Sequence, residues 1–295
     1  MKAFLDKLLS LRFEFTKKRV KLALVLIIIF IFIATMVELV HKYNNTYQRL
    51  QVRYEKELRK NVELEDKEAI KIEKYDLNLD GFEDYIALIG KKKIDSLGNV
   101  LELYSSVDLI FLDGKSNESI KYSTGKEFDL NVTFQIYEQK DQKNILITDE
   151  TSGNVYLLKL ENDKFIDIIN ESFGDKFSGY TINAEFNKDD NQKMDVKLDG
   201  FGKSYLPQVE ENYTLDFDED DINLENYRQT YNLDKFSKIQ LIDTDEDGIL
   251  ELVTTQYVLY LYKEVENKGS NLGLVKVIFK FEDGKYKAEK VSVEK

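Results

Sequence analysis

The 295-residue chain has no cysteine, no tryptophan, one proline and one histidine. The lack of cysteine excludes disulfides, thiolate nucleophiles, cysteine-ligated metals and a lipid-modified cysteine anchor. The sole histidine, His41, lies beside a hydrophobic segment. The rest of the chain therefore cannot build a Ser-His-Asp or Cys-His site, and a zinc site with the usual two or more histidines is disfavoured. There is no phosphate-cradling loop or dinucleotide fingerprint, because Gly200-Phe201-Gly202 lacks the third glycine and a following helix. Stability has to come from an apolar core, with metal left open as a further source. No enzymatic activity is expected, although a hydrolase acting on carbohydrate with two carboxylates stays open as an alternative, since no pair stands out among 55 acidic residues.

Charge is unevenly spread. Residues 1–40 carry seven Lys or Arg against three Asp or Glu, net +4, so of the total of -13 residues 41–295 carry -17. Such a domain repels nucleic acid and attracts cations or basic partners. Leu22 to Val37 is an uncharged apolar run bounded by Lys21 and Glu38. With its flanks it approaches the roughly 20 residues of a spanning helix. Lys17, Lys18, Arg19 and Lys21 precede it, so the positive-inside rule places the N-terminus in the cytoplasm. No small-x-small cleavage site follows, which favours an uncleaved anchor over a signal peptide. The expected organisation is a cytoplasmic tail over 1–21, a transmembrane anchor over 22–40, a helical stalk over 41–69 and a β ectodomain over 70–295. The stalk carries a stripe of Tyr43, Tyr47, Leu50, Tyr54 and Leu58 at helical spacing. That stripe packs on the chain's own domain or makes a homodimer.

Two runs share one arrangement of oxygen donors, D-x-[DN]-x-D-G-x-x-[DE]: Asp76, Asn78, Asp80, Gly81 and Asp84, then Asp243, Asp245, Asp247, Gly248 and Glu251. Alternate residues of a tight loop point oxygens inward, and calcium takes six to eight of them. The glycine supplies a positive φ that a side chain resists. The flanks, Ile70 to Tyr75 and Tyr85 to Ile89, then Lys238 to Ile242 and Leu252 to Tyr262, are β-branched and aromatic runs typical of strands. A helical EF-hand would instead close with Glu at position twelve, where Ala87 and Thr254 stand.

A weaker copy spans Asn187 to Asp195, with Gln192 at the glycine position. At the remaining interval, Val132 to Tyr137 and Asn144 to Thr148 read as a hairpin without the carboxylates. Asp216 to Asp221 reads as a solvated acidic loop. Further strands are expected over Val155 to Leu160, Phe165 to Ile169, Val275 to Phe281 and Tyr286 to Val291, giving about four units of about four strands.

With these loops in hairpins, and with Phe173-Gly174 ahead of Asn187, the chain resembles the FG-GAP or VCBS type repeat of integrin α-subunit propellers and many bacterial surface proteins. The resemblance implies a mainly β, propeller-like ectodomain and Ca2+ held by Asp76, Asn78, Asp80 and Asp84 and by Asp243, Asp245, Asp247 and Glu251. Together with the apolar run and its basic flank, it points to a membrane-anchored bacterial form. The Gly-Ala-Pro ending of such repeats is absent and the units are fewer than usual, so a small propeller, a fragment completed by a partner and a twisted stack of sheets stay open. The expected function is extracellular binding or scaffolding at the cell membrane, toward protein or cell-surface glycan. The lack of tryptophan tilts this toward protein. A calcium-responsive membrane sensor is the other alternative.

Overall fold

A computed structural model of the chain describes residues 2–139, 142–149, 153–174, 177–187, 192–200, 202–207, 209, 212–217, 227–231, 236–262 and 269–295. Within these, the side chains of residues 2–28, 227–231, 259–262 and 269–270 are outside the description. The chain divides into two compact units, Met1–Glu57 and Leu58–Lys295.

The first unit is the bulk of one continuous helix, α1 (Lys2–Asn61). Residues 22–28 of the expected anchor lie outside the described side chains, and among the described residues no helix is long and apolar enough to cross a membrane. Along the stalk stripe Tyr43, Tyr47 and Leu50 are exposed. The helix ends at Asn61 and the first strand starts at Glu68, ahead of the expected boundary at residue 70. The alternation of Ile70 and Ile72 already belongs to the sheet.

The second unit is mainly β, in four separate antiparallel sheets that follow chain order. The first holds β1 (Glu68–Tyr75), β2 (Asp84–Ile94), β3 (Val100–Leu112), β4 (Ser119–Ser123) and β5 (Phe128–Asp129). The second is the meander β6 (Thr133–Gln139), β7 (Gln142–Asp149), β8 (Asn154–Glu161) and β9 (Lys164–Asp167). The third holds β10 (Thr181–Phe186), β11 (Lys193–Asp199) and β12 (Tyr213–Asp216). The fourth holds β13 (Tyr227–Tyr231), β14 (Lys238–Ile242), β15 (Glu251–Tyr262), β16 (Gly269–Glu282) and β17 (Lys285–Glu294). The expected strand over 165–169 stops at Asp167. There the Asp167 carboxylate accepts from the N–H groups of Ile169 and Asn170 and starts a short helix, α2 (Ile168–Phe173).

Side-chain alternation in the second sheet builds two cores. Ile145, Ile147 and Leu158 face the first sheet and join Ile86, Leu88, Leu109 and Phe111. Leu146 and Leu157 point the other way, into a core with α2 and the third and fourth sheets, among Ile182, Val196, Leu252 and Phe279. This is why Asn144-Ile-Leu-Ile-Thr148 reads as an unbroken apolar run: both faces of the strand are covered. No closure into a propeller ring is found. Among the described residues neither core joins the first sheet to the fourth, and no strand of the first pairs within the fourth.

Two buried polar side chains fix the arrangement. Gln256 on β15 pairs with the backbone of Tyr180 as a strand would, accepting from its N–H at 2.7 Å and donating to its carbonyl at 3.0 Å. The approach is so close that a Cβ on Gly179 would lie 2.0 Å from the Gln256 amide. On β3, Asp108 is buried between Lys67 and Lys121. Burial pushes its carboxyl upward, but hydrogen bonds from Lys67, Lys121 and Ser123 and the Lys67 charge outweigh this, holding it below the usual carboxylate value.

Replacing Gln256 with Leu leaves the Tyr180 N–H and carbonyl unpaired in the core, and the expected loss is about 2–4 kcal/mol in urea unfolding. A loss below about 0.5 kcal/mol would show that the pairing does not hold β15 to the third sheet. Because the folded value of Asp108 lies below its unfolded value of about 3.9, its contribution is complete above that pH and fades as pH falls through the folded value. Asp108→Asn is expected to flatten the acid limb of stability below about pH 4. An unaltered limb in stepped-pH unfolding would remove Asp108 from this role.

Candidate metal centre

The two sequence-defined loops occupy equivalent places, one joining β1 to β2 and the other β14 to β15, and both pairs are antiparallel. Their internal hydrogen bonds match position by position. In the first, Asp80 N–H donates to Asp76 Oδ1 (3.1 Å) and Asn78 Oδ1 (3.2 Å), Gly81 N–H to Asp76 Oδ2 (3.1 Å), and Phe82 N–H to Asp80 Oδ1 (3.0 Å). In the second, Asp247 N–H donates to Asp243 Oδ1 (3.1 Å) and Asp245 Oδ1 (3.3 Å), Gly248 N–H to Asp243 Oδ2 (2.9 Å), and Ile249 N–H to Asp247 Oδ1 (2.8 Å). The fourth and sixth positions have positive φ in both: Leu79 (62°) and Gly81 (88°), Glu246 (60°) and Gly248 (81°). For Leu79, a bulky side chain without a polar group to hydrogen-bond the local backbone, this conformation is costly.

The position-nine acids do a different job from the other donors. Asp84 is buried, and its two oxygens accept from Leu77 N–H at 2.8 Å and Gly114 N–H at 3.0 Å. Burial pushes its carboxyl upward and these hydrogen bonds only partly offset that. Glu251, also buried, accepts with Oε2 from Thr244 N–H at 2.6 Å and its hydroxyl at 2.8 Å. Both acids therefore close the base of the hairpin. The second oxygen of Glu251 has no partner among the described residues. A buried carboxylate oxygen without a donor is costly unless a cation or water meets it.

Asp243, Asp245 and Asp247 bring their carboxylate oxygens within 4.8 Å of one another, inside the roughly 5 Å that separates opposite ligands around a calcium ion. Glu251 is not part of that group. In the first loop Asn78 gives its amide N–H to Asp113 at 2.9 Å, which leaves its oxygen turned toward Asp80. The donor chemistry is all oxygen and fits a hard divalent cation. Asn187 of the weaker copy hydrogen-bonds Asp195 at 3.3 Å, while residues 188–191 and 218–221 of the two other acidic runs lie outside the described residues.

Lysines that spacing could not reveal also meet these loops. Lys280 on β16 contacts Asp245 at 2.7 Å and Asp247 at 3.7 Å. Its hydrogen bond holds Asp245 below the usual carboxylate value, and the lysine is raised in turn. Lys115 stands 3.6 Å from Asp80. Lys143 of β7 donates to the Asp76 carbonyl and sits 4.3 Å over the Tyr75 ring, tying the first loop to the second sheet. Comparison of the chain with protein-family models, with curated proteins and with solved structures gave no match.

In chelator, Asp243→Ala removes the acceptor for two N–H groups and is expected to cost about 1 kcal/mol, as loss of a helix cap does. Asp245→Ala, which removes one long acceptor and an exposed ion pair, is expected to cost less than about 0.5 kcal/mol. Equal losses in urea unfolding would mean that these hydrogen bonds do not order the loop.

Proposed function

We propose that the chain is a single-pass, N-in, membrane-anchored protein of a bacterial surface whose outward β module is rigidified by Ca2+ at two hairpin loops and serves as a binding or scaffold module. The observation that carries this reading is the repetition, in two sheets, of one hydrogen-bonded loop with the same donors and the same two positive-φ positions. Metal at Asp76, Asn78 and Asp80 and at Asp243, Asp245 and Asp247 offsets repulsion among acids held close together, with Asp84 and Glu251 closing each loop. The module is then of the FG-GAP/VCBS kind in its loops, without ring closure. The apolar run over 22–37 and its basic N-terminal flank support the anchor over 22–40, and the exposed stripe of Tyr43, Tyr47 and Leu50 supports self-association through the stalk. The partners are proteins or cell-surface glycans.

The test is thermal unfolding of the full chain in calcium and in chelator. At about 100 times the dissociation constant one site adds about 2.7 kcal/mol. The melting temperature is expected to rise in calcium, and the rise to shrink with Asp80→Ala and with Asp247→Ala. No rise at millimolar calcium would reduce the loops to acidic turns. Release of the protein from membranes by alkaline carbonate would remove the anchor.

A further inference from the structure

A cleft of about 1230 Å3 opens between β4 of the first sheet, β8 and α2 of the second core, and the 202–205 segment after β11. It exceeds the roughly 300–1,000 Å3 of pockets that hold drug-sized ligands, so it admits an extended one. Two aromatic groups line it. Tyr122 meets Tyr156 edge to face at 6.0 Å. Phe173 stacks on Phe177 at 4.4 Å and 10°, and Tyr205 packs against both at 5.5 and 5.6 Å. Tyr122, Phe173, Phe177 and Tyr205 are only half-buried, so ring surface stays open to the cleft.

Two of the charged groups, Asp167 and Lys203, are hydrogen-bonded within the protein. Asp167 caps α2 with one oxygen and accepts from the Tyr122 hydroxyl at 3.4 Å with the other. Lys203 donates to the Gly179 carbonyl, and Lys126 lies 5.5 Å over the Tyr156 ring. Among the described residues, the groups left without a hydrogen-bond partner are the neutral Asn170 amide and Ser178 and Ser204 hydroxyls, together with the Lys126 ammonium that lies over the Tyr156 ring. Aromatic faces beside uncharged donor-acceptors suit a ligand with apolar C–H faces and hydroxyl edges. The charge of -17 over residues 41–295 disfavours a polyanion.

We infer that this cleft binds an uncharged glycan segment, with Tyr205 and Phe173 supplying the stacking surface and Asn170, Ser178 and Ser204 the hydroxyl contacts. This rests on the proposed binding role and chooses the glycan over the protein partner. It is independent of the metal loops, none of whose residues lines the cleft.

The experiment titrates the full chain in detergent with neutral tetrasaccharides of beta-linked glucose, beta-linked N-acetylglucosamine and alpha-linked glucose, and with an uncharged peptide of similar length, following tyrosine fluorescence and heat. Each titration is run in calcium and in chelator, so that failure of the metal reading is distinguishable from failure here. Saturable binding of a tetrasaccharide is expected, about tenfold weaker in the Asn170→Ala, Ser204→Ala double variant. Those two side chains are exposed and hold nothing else, so the variant keeps its melting temperature. Tyr205→Ala is expected to abolish binding. Binding unchanged in both variants, binding of the peptide alone, or binding of no tetrasaccharide would each overturn the assignment.

Discussion

Burial of the second sheet on both faces is the constraint on which the β unit depends. Residues that alternate along β7 and β8 send Ile145, Ile147 and Leu158 into one core and Leu146 and Leu157 into the other. The second sheet thus links the first sheet to the third and fourth. A polar substitution there would expose or strand a group in one core or the other, since neither face has water to satisfy it. The half of the molecule beyond the second sheet is fastened by Gln256, whose amide replaces a missing ladder between β15 and Tyr180.

The two acidic loops sit on this frame and are ordered before any metal is considered. Their aspartates accept backbone N–H groups, so much of the loop geometry is paid for by the chain itself. The two loops then differ in how their charge is met. The first replaces one aspartate with Asn78, has Lys115 near Asp80 and leans on Lys143 through a backbone carbonyl, whereas the second keeps three aspartates with Lys280 in direct hydrogen-bond contact. The unpartnered oxygen of Glu251 is a reason for a cation or water to remain close by.

The cleft arises from what the sheets leave between them. Its aromatic residues come from β4, β8, the end of α2 and the segment after β11, and α2 exists only because Asp167 stops β9 and caps the next turn. The carboxylate that ends a strand thereby also orients Asn170 at the cleft and engages Tyr122, joining local capping to the shape of the surface.

The mainly β class, the hairpins flanking each loop, and the close approach of Asp243, Asp245 and Asp247 were legible in the sequence. Each rests on alternation or spacing within a few residues. The capping of α2 by Asp167, which ended an expected strand early, was local too but masked by the apolar pair Ile168 and Ile169. The base-closing role of Asp84 and Glu251, the lysines at the loops, the open chain of sheets and the cleft were decided only by the tertiary structure. The physical reason is that periodicity states which face of a strand is covered but not by what. A lysine on β16 or an amide on β15 acquires its meaning from a partner that folding, rather than chain spacing, brings within hydrogen-bonding distance.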